Sequence, residues 1–198
     1  MLINLNKLLD KLLKNRNLRR AKLISCSLKP YLKAGWKILD VGMGNGHIAS
    51  IIKGDYDVII QGIDTVNYNN TSIPITIYDG SKFPLDKNSY DAVLIVQALH
   101  HSENPEKILK EAFRIAQKKI IILEDIVHSQ PHRFFCSIYD FLMNFRHGVS
   151  VPCNFKTVEE LGTIFEKIGA GKLTVKRFSS DRWYSPMDAR LFIFEIAK

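Results

Sequence analysis

Gly42, Gly44 and Gly46 fall at every second position of "ILDVGMGNGHIA", directly after a run of strand formers. Inside a regular element each glycine costs roughly 0.5–1 kcal/mol relative to alanine. Three together therefore mark a loose turn, or a place where something approaches the backbone too closely for side chains. At a strand-to-helix junction, Gly42 permits the sharp turn, Gly44 the approach of a ligand, and Gly46 close packing of the helix on the sheet. The spacing G-x-G-x-G differs from the dinucleotide pattern G-x-G-x-x-G, and no G-K-[ST] follows that would make a phosphate-cradling loop. Two carboxylates narrow the ligand. Asp64 in "IIQGIDTV" lies 18 residues beyond Gly46 and can accept hydrogen bonds from both hydroxyls of a ribose. Asp79 in "YDGSKFP" can reach an adenine amino group. Alone, either aspartate also reads as a turn former; after successive strands, on the edge that carries the glycines, the nucleoside reading is the stronger.

The elements that must hold these residues alternate. Strands are expected at Lys37–Val41, Val58–Ile63, Ile75–Tyr78, Tyr90–Val96 and Lys119–Leu123, with helices at His47–Ile52 and Pro105–Ala116 between them. A helix capped by Thr157, with Glu159 and Glu160 in its first turn, ends at Gly169, and strands Leu173–Phe178 and Leu191–Ile196 complete the chain. Short β-branched strands alternating with helices predict an α/β fold: one doubly wound, mostly parallel, seven-stranded sheet. In such sheets ligands collect beyond the carboxyl ends of the strands, where the glycine loop and both aspartates fall.

At 198 residues, with 46% hydrophobic and 24% charged residues, the chain suits one domain with an ordinary core. Cys26, Cys136 and Cys153 lack CxxC spacing, which argues against a disulfide framework or a zinc site and suits a reducing cytosol. The longest apolar run, Ala92–Val96, is far short of a membrane span. A cytoplasmic location is expected. The net charge of +8 is concentrated: residues 1–37 hold ten Lys/Arg against Asp10 alone, and the remainder is close to neutral. Leu2, Leu5, Leu9 and Leu12 share a helical face opposite Lys7, Lys11 and Lys14, and a second helix is expected over about Leu18–Leu28. The basic segment 1–34 is read as a helical cap ahead of a domain over 35–198. Residues 1–20 could rest on an anionic membrane surface. Nucleic acid is the weaker partner, because no second basic patch follows.

The residues resemble the class I S-adenosylmethionine-dependent methyltransferases, and within them the small-molecule and quinone (methyltransferase-11-like) type. The resemblance rests on "LDVGMGNG" (39–46), "GID" (62–64) and "DGSKFPLDKNSYDAVLIVQALHH" (79–101) in that order, and covers about residues 20–125. It implies a Rossmann-like methyltransferase fold whose last strand is antiparallel, and S-adenosyl-L-methionine as cofactor. It further implies that Asp40, Gly42, Gly44 and Gly46 line the methionyl part, that Asp64, Thr65 and Val66 hold ribose and flank adenine, that Asp79 and Gly80 meet the adenine edge, and that Gln97 sits by the methyl end. "IAQKK" (115–119) stands where the family has "LKPGG", so a tighter or differently shaped turn is expected there. His47 is a second departure, inside the glycine loop.

For the acceptor, no D/N-P-P-Y/W and no Pro-Cys follows strand four, which disfavours exocyclic base amines and the cytosine-C5 mechanism. Glu124 and Asp125 end strand five, but Gln97 stands where a further acid would complete a magnesium site, so no metal is expected. The acceptor pocket is placed in the insertion 125–156, with Phe134, Ile138, Phe141, Leu142 and Phe145 as one face of a roofing helix. His100, His101, His128 and His132 are the candidate bases, each weighed against a structural role. The expected activity is methyl transfer to a small, aromatic or lipid-like molecule through an oxygen, nitrogen or carbon nucleophile. An inactive cofactor-binding partner module and an RNA methyltransferase are the alternatives.

Overall fold

The computed structural model describes residues 15, 17–144, 152–178 and 188–196. The amphipathic helix expected over the first 14 residues lies outside them, as does Phe145. The described helix over residues 17–28 (α1) leads through a short turn into β1 (Lys37–Val41), followed by α2 (His47–Asp55), β2 (Ile59–Asp64), β3 (Ile75–Ile77) and β4 (Tyr90–Val96). Then come α3 (Pro105–Ile115), β5 (Ala116–Ile126), α4 (Gln130–Asn144), α5 (Val158–Lys167), β6 (Leu173–Phe178) and β7 (Asp188–Glu195). One sheet of order β3-β2-β1-β4-β5-β7-β6 holds all seven strands. β1 to β5 pair in parallel, while β7 is antiparallel to both β5 and β6, so only the last strand runs against the rest.

The pleat sorts each strand onto two cores. Leu39, Val41, Val93, Ile95, Ile120 and Ile122 meet Leu109 and Ala112 of α3 and Leu161 and Phe165 of α5 on one face. Ile38, Leu94, Ile121 and Leu123 meet Ala49 and Ile52 of α2 and Ile24 and Leu28 of α1 on the other. Ile24 and Leu28 are fully buried, at about 1.5–3 kcal/mol each by transfer. The second half of the basic segment is thus part of the domain's own core.

Two local structures fix the edges of the site. Asn104 caps α3 by accepting from the Lys107 amide at 3.0 Å, with Pro105 in the first helical position. The helix ends at Ile115 and β5 begins at Ala116 with no loop between them, which is how "IAQKK" replaces the longer turn of the family. Toward the C-terminal end of α3, Arg114 donates to the carbonyls of Phe83 and Leu85, and Glu111 accepts from the Phe83 amide at 3.0 Å. This anchors the loop that carries Asp79 and Gly80.

At α5, Thr157 Oγ1 accepts from the Glu160 amide at 3.1 Å, and Glu160 accepts from the Thr157 amide at 2.7 Å, closing a capping box. The same Glu160 carboxylate takes Arg133 of α4 at 2.8 and 3.0 Å, so one cap ties two helices. Thr157→Ala is therefore expected to cost about 1 kcal/mol, seen as a lower urea midpoint with an unchanged denaturant slope.

Candidate cofactor and acceptor site

All three glycines of the loop after β1 are left-handed, with φ of +70°, +62° and +77° at Gly42, Gly44 and Gly46. The Gly42 amide donates to the Ile63 carbonyl at 2.8 Å, and the Gly44 amide donates to Asp64 Oδ2 at 2.8 Å. The loop is docked on the end of β2 by its own backbone. A Cβ on Gly42 would lie 2.5 Å from Ala98 Cβ, and one on Gly44 would lie 2.7 Å from the Tyr68 hydroxyl. At Gly46 it would lie 2.5 Å from Asn69 Oδ1 and 2.6 Å from Thr71 Oγ1. The expectation for Gly46 changes in consequence. Gly44 makes room for Tyr68, and Gly46 makes room for the loop after β2; the sheet is not what presses on it. Tyr68 was not singled out in the sequence, because nothing in "TVNYNN" marks it as the residue that folds back over the glycines.

Asp64 stands at the centre of this half. Its Oδ1 accepts from the amides of Thr65 at 2.7 Å and Val66 at 3.3 Å, while Oδ2 takes Gly44. Burial, and then the charge of Asp64, pushes the Asp40 carboxyl up to about 7. The same two causes, in the same order, push the Tyr68 phenol up to about 12. Gly80, at φ +79°, places its missing Cβ 3.4 Å from Thr65 Cγ2, so the segments after β2 and β3 face each other. Asp79 lies two residues past β3, in solvent, where the Ser81 amide at 2.8 Å and hydroxyl at 3.1 Å hold it below the usual carboxylate range.

Beyond β4 the chain makes a tight bend. Gln97 has φ +50°, and its amide donates to the Leu123 carbonyl at 2.6 Å. Its Nε2 donates to Asp125 Oδ2 at 2.5 Å, leaving Oε1 buried and without a partner among the described residues. The following turn, Leu99–His101, presents two imidazoles with ring centres 4.2 Å apart. His100 is buried: its Nδ1 is paired with Glu124 Oε1, and its ring stacks on Phe155 at 4.5 Å. Glu124 is held in turn by the amides of Leu99 at 2.9 Å and Asp125 at 3.0 Å. Asp140, from the inward face of α4, lies 3.8 Å from both His100 Nε2 and His101 Nδ1. Burial works against a charged His100, yet Glu124, Asp140 and Asp125 outweigh it and raise the imidazole to about 10. The protonated form of His100 is thereby favoured, which makes it a poor general base.

His128 and His132 form a separate stacked pair at 5.3 Å, with His128 Nε2 on Asp188 Oδ2 at 2.8 Å at the start of β7. The insertion folds back over the first pair: Asn154 donates from its amide to the His100 carbonyl at 3.1 Å and from its side chain to the Ser102 carbonyl at 3.0 Å. α4 is turned so that Cys136 and Asp140 face inward, while Phe134, Phe135, Ile138, Phe141 and Leu142 face outward, 44–62% exposed. The aromatic face expected to roof the site thus looks away from the core. A cavity of about 610 Å³ lined by Lys37, Phe83, Tyr90 and Arg114 opens where β1 and β4 begin, at the edge opposite the glycine loop.

Residues 39–123 match a family profile described as a methyltransferase domain. That stretch is a methyltransferase domain of the S-adenosylmethionine-dependent kind. No curated protein sequence matches the methyltransferase significantly. Solved structures that resemble it include a SAM-dependent methyltransferase from Thermotoga maritima (19% identity, 98% of this chain and 99% of that one, TM-score 0.66). Another, from Archaeoglobus fulgidus, shares 16% identity over 94% and 99% of the two chains, with TM-score 0.67. A third is phosphoethanolamine N-methyltransferase 2 of Haemonchus contortus, solved with S-adenosyl-L-methionine (14% identity, 84% of this chain and 50% of that one, TM-score 0.60). At these identities the likeness establishes the fold. The residues of the methyltransferase fit its cofactor. The carboxylates of Asp64 and Asp79 are acceptors of the kind that ribose and adenine donors would need, and the orphaned Gln97 Oε1 lacks the donor that an ammonium or hydroxyl would bring.

Gly44→Val and Asp64→Ala are expected to abolish S-adenosylmethionine binding in calorimetry while circular dichroism keeps the native spectrum; unchanged affinity in both would sink the assignment. A pH effect follows from Asp40. Its folded pKa is raised, so its contribution to stability is complete below about 4 and is lost as pH climbs to about 7. Asp40→Asn should match the wild type near pH 4 and exceed it above pH 7 by up to the order of 4 kcal/mol, read from denaturant unfolding across that range.

Proposed function

We propose that the methyltransferase acts on a small, aromatic or lipid-like molecule through an oxygen, nitrogen or carbon nucleophile, by in-line displacement. The observation that carries this reading is the compact polar cluster of Gln97, His100, His101 and Asp140 beside the glycine loop. Gly42 touches Ala98, so the loop and the cluster are neighbours in space as well as in sheet order. The cluster lies beneath α4 and the returning segment around Asn154 and Phe155, an enclosure suited to one small polar group. S-adenosylmethionine supplies an electrophilic methyl on a sulfonium. Asp64, Asp79 and Gln97 hold and orient it, and alignment of this kind can lower a barrier by roughly 7–11 kcal/mol at best. His100, set between Glu124 and Asp140, serves as a hydrogen-bonding anchor.

The Thermotoga neighbour is described as a "possible histamine N-methyltransferase" and the Haemonchus one as acting on phosphoethanolamine, both small amines, which supports a small acceptor. The exposed apolar face of α4 and the ten basic residues among the first 37 support peripheral contact with an anionic membrane, and with it a lipid-like acceptor. Among the described residues no helix is long and apolar enough to cross a bilayer.

Incubation with labelled cofactor and cell extract is expected to place the label in the low-mass or lipid fraction. Label in RNA would replace this reading with the RNA methyltransferase one, and label in no fraction would favour an inactive binding module.

A further inference from the structure

The cluster on the acceptor side brings potential ligand atoms of three side chains close together. Asp140 Oδ1 lies 3.8 Å from His100 Nε2, and Oδ2 lies 3.8 Å from His101 Nδ1. Both gaps exceed the roughly 3.2 Å limit of a good N–H···O bond. They are slightly longer than the roughly 3.3–3.6 Å that two ligand atoms take in tetrahedral geometry around a shared ion at about 2.0–2.2 Å. One ligand atom from each of the three side chains lies within 4.8 Å of the other two, so an ion would shorten the widest gap by up to roughly 1.5 Å.

The surroundings aim these atoms. His100 turns its Nδ1 to Glu124, whose carboxylate is fixed by the backbone amides of Leu99 and Asp125, and Phe155 stacks on the ring. A carboxylate on the far nitrogen of a histidine is the usual outer partner of a metal-bound imidazole, because it sets the tautomer and the ring orientation. The Leu99–His101 turn delivers the second imidazole on the same side, and α4 brings the carboxylate from a different part of the chain.

We propose that His100, His101 and Asp140 form a binding site for one divalent first-row transition-metal ion, which holds the reacting heteroatom of the acceptor. Two imidazoles and one carboxylate leave coordination positions open, as a site that must also take a substrate requires. The ion occupies the place of the Nε2 proton on His100. A hydroxyl or thiol coordinated there loses its proton to solvent more easily, because the metal stabilises the anion. The site thus supplies an activated nucleophile. The inference deepens the acceptor assignment above and rests on it. It also replaces the expectation of no metal, which looked to Glu124 and Asp125 as ligands; here Glu124 orients one.

The test uses the full-length, untagged chain stripped of metal with a chelator and titrated with Co²⁺. One ion per chain with visible ligand-field bands is expected. His101→Ala and Asp140→Ala should each weaken binding at least about tenfold, and Glu124→Gln by about 10–100-fold. Cys26→Ser, an exposed thiol elsewhere, should leave it unchanged. His101 is only half-buried, so its truncation keeps the fold, and circular dichroism checks each variant. A wild-type chain that binds S-adenosylmethionine but takes up no Co²⁺ would overturn the metal site, as would folded variants that bind Co²⁺ as tightly as the wild type. Failure to bind S-adenosylmethionine itself would fall on the cofactor assignment instead.

Discussion

One carboxylate organises the cofactor half of this protein. Asp64 receives the amides of Gly44, Thr65 and Val66, so the end of β2, the glycine loop and the turn that leads toward Tyr68 share a single anchor. Its negative charge reaches further than its hydrogen bonds, raising the proton affinity of Asp40 and Tyr68. The left-handed glycines follow from this arrangement. The loop must curl tightly enough to offer an amide to Asp64, and it must do so with Tyr68, Asn69 and Thr71 packed where side chains would otherwise stand.

The acceptor half is built on the same plan with a different anchor. Glu124 gathers the amides of Leu99 and Asp125 and pairs with His100, as Asp64 gathers its own three. In each case a carboxylate at the end of a strand is partnered by backbone donors, which offsets the cost of burying it. The two halves meet where Gly42 touches Ala98. α4 contributes Asp140 from outside the sheet and is held by Arg133 on the Glu160 cap of α5, so the geometry around the two histidines depends on a helix cap with no part in binding.

Much of this was legible in the sequence. β1, β4 and β6 begin and end where alternation and β-branching placed them; for β1 and β4 the reason is that buried parallel strands leave apolar runs, while β6 is an exposed edge strand. The strand-end positions of the glycines and of Asp64 followed from the same pattern. Contacts that join residues far apart in the chain were not legible: Asp140 with the histidine pair, Arg133 with Glu160, Tyr68 with Gly44. Helical spacing showed that α4 has an aromatic stripe, but spacing alone is silent on which side faces inward. Cys136 and Asp140 took that side because Asp140 finds the imidazoles there. Charge was equally deceptive for His100, whose unperturbed titration made it a candidate base until Glu124 was seen beside it.

The parallel pairing of β4 with β5 gives the acceptor half a discrete register. Along β5, residues alternate between the two cores, so Glu124 shares the face of Ile120 and Ile122 while Asp125 shares that of Ile121 and Leu123. β5 carries one residue more than β4 opposite Tyr90–Ala92, and a one-residue shift of register beyond that irregularity would exchange the two acids between faces. His100 would then meet a different acid, or none. The irregularity acts as the zero mark of a ruler, and the choice of which carboxylate serves the histidine is a matter of parity.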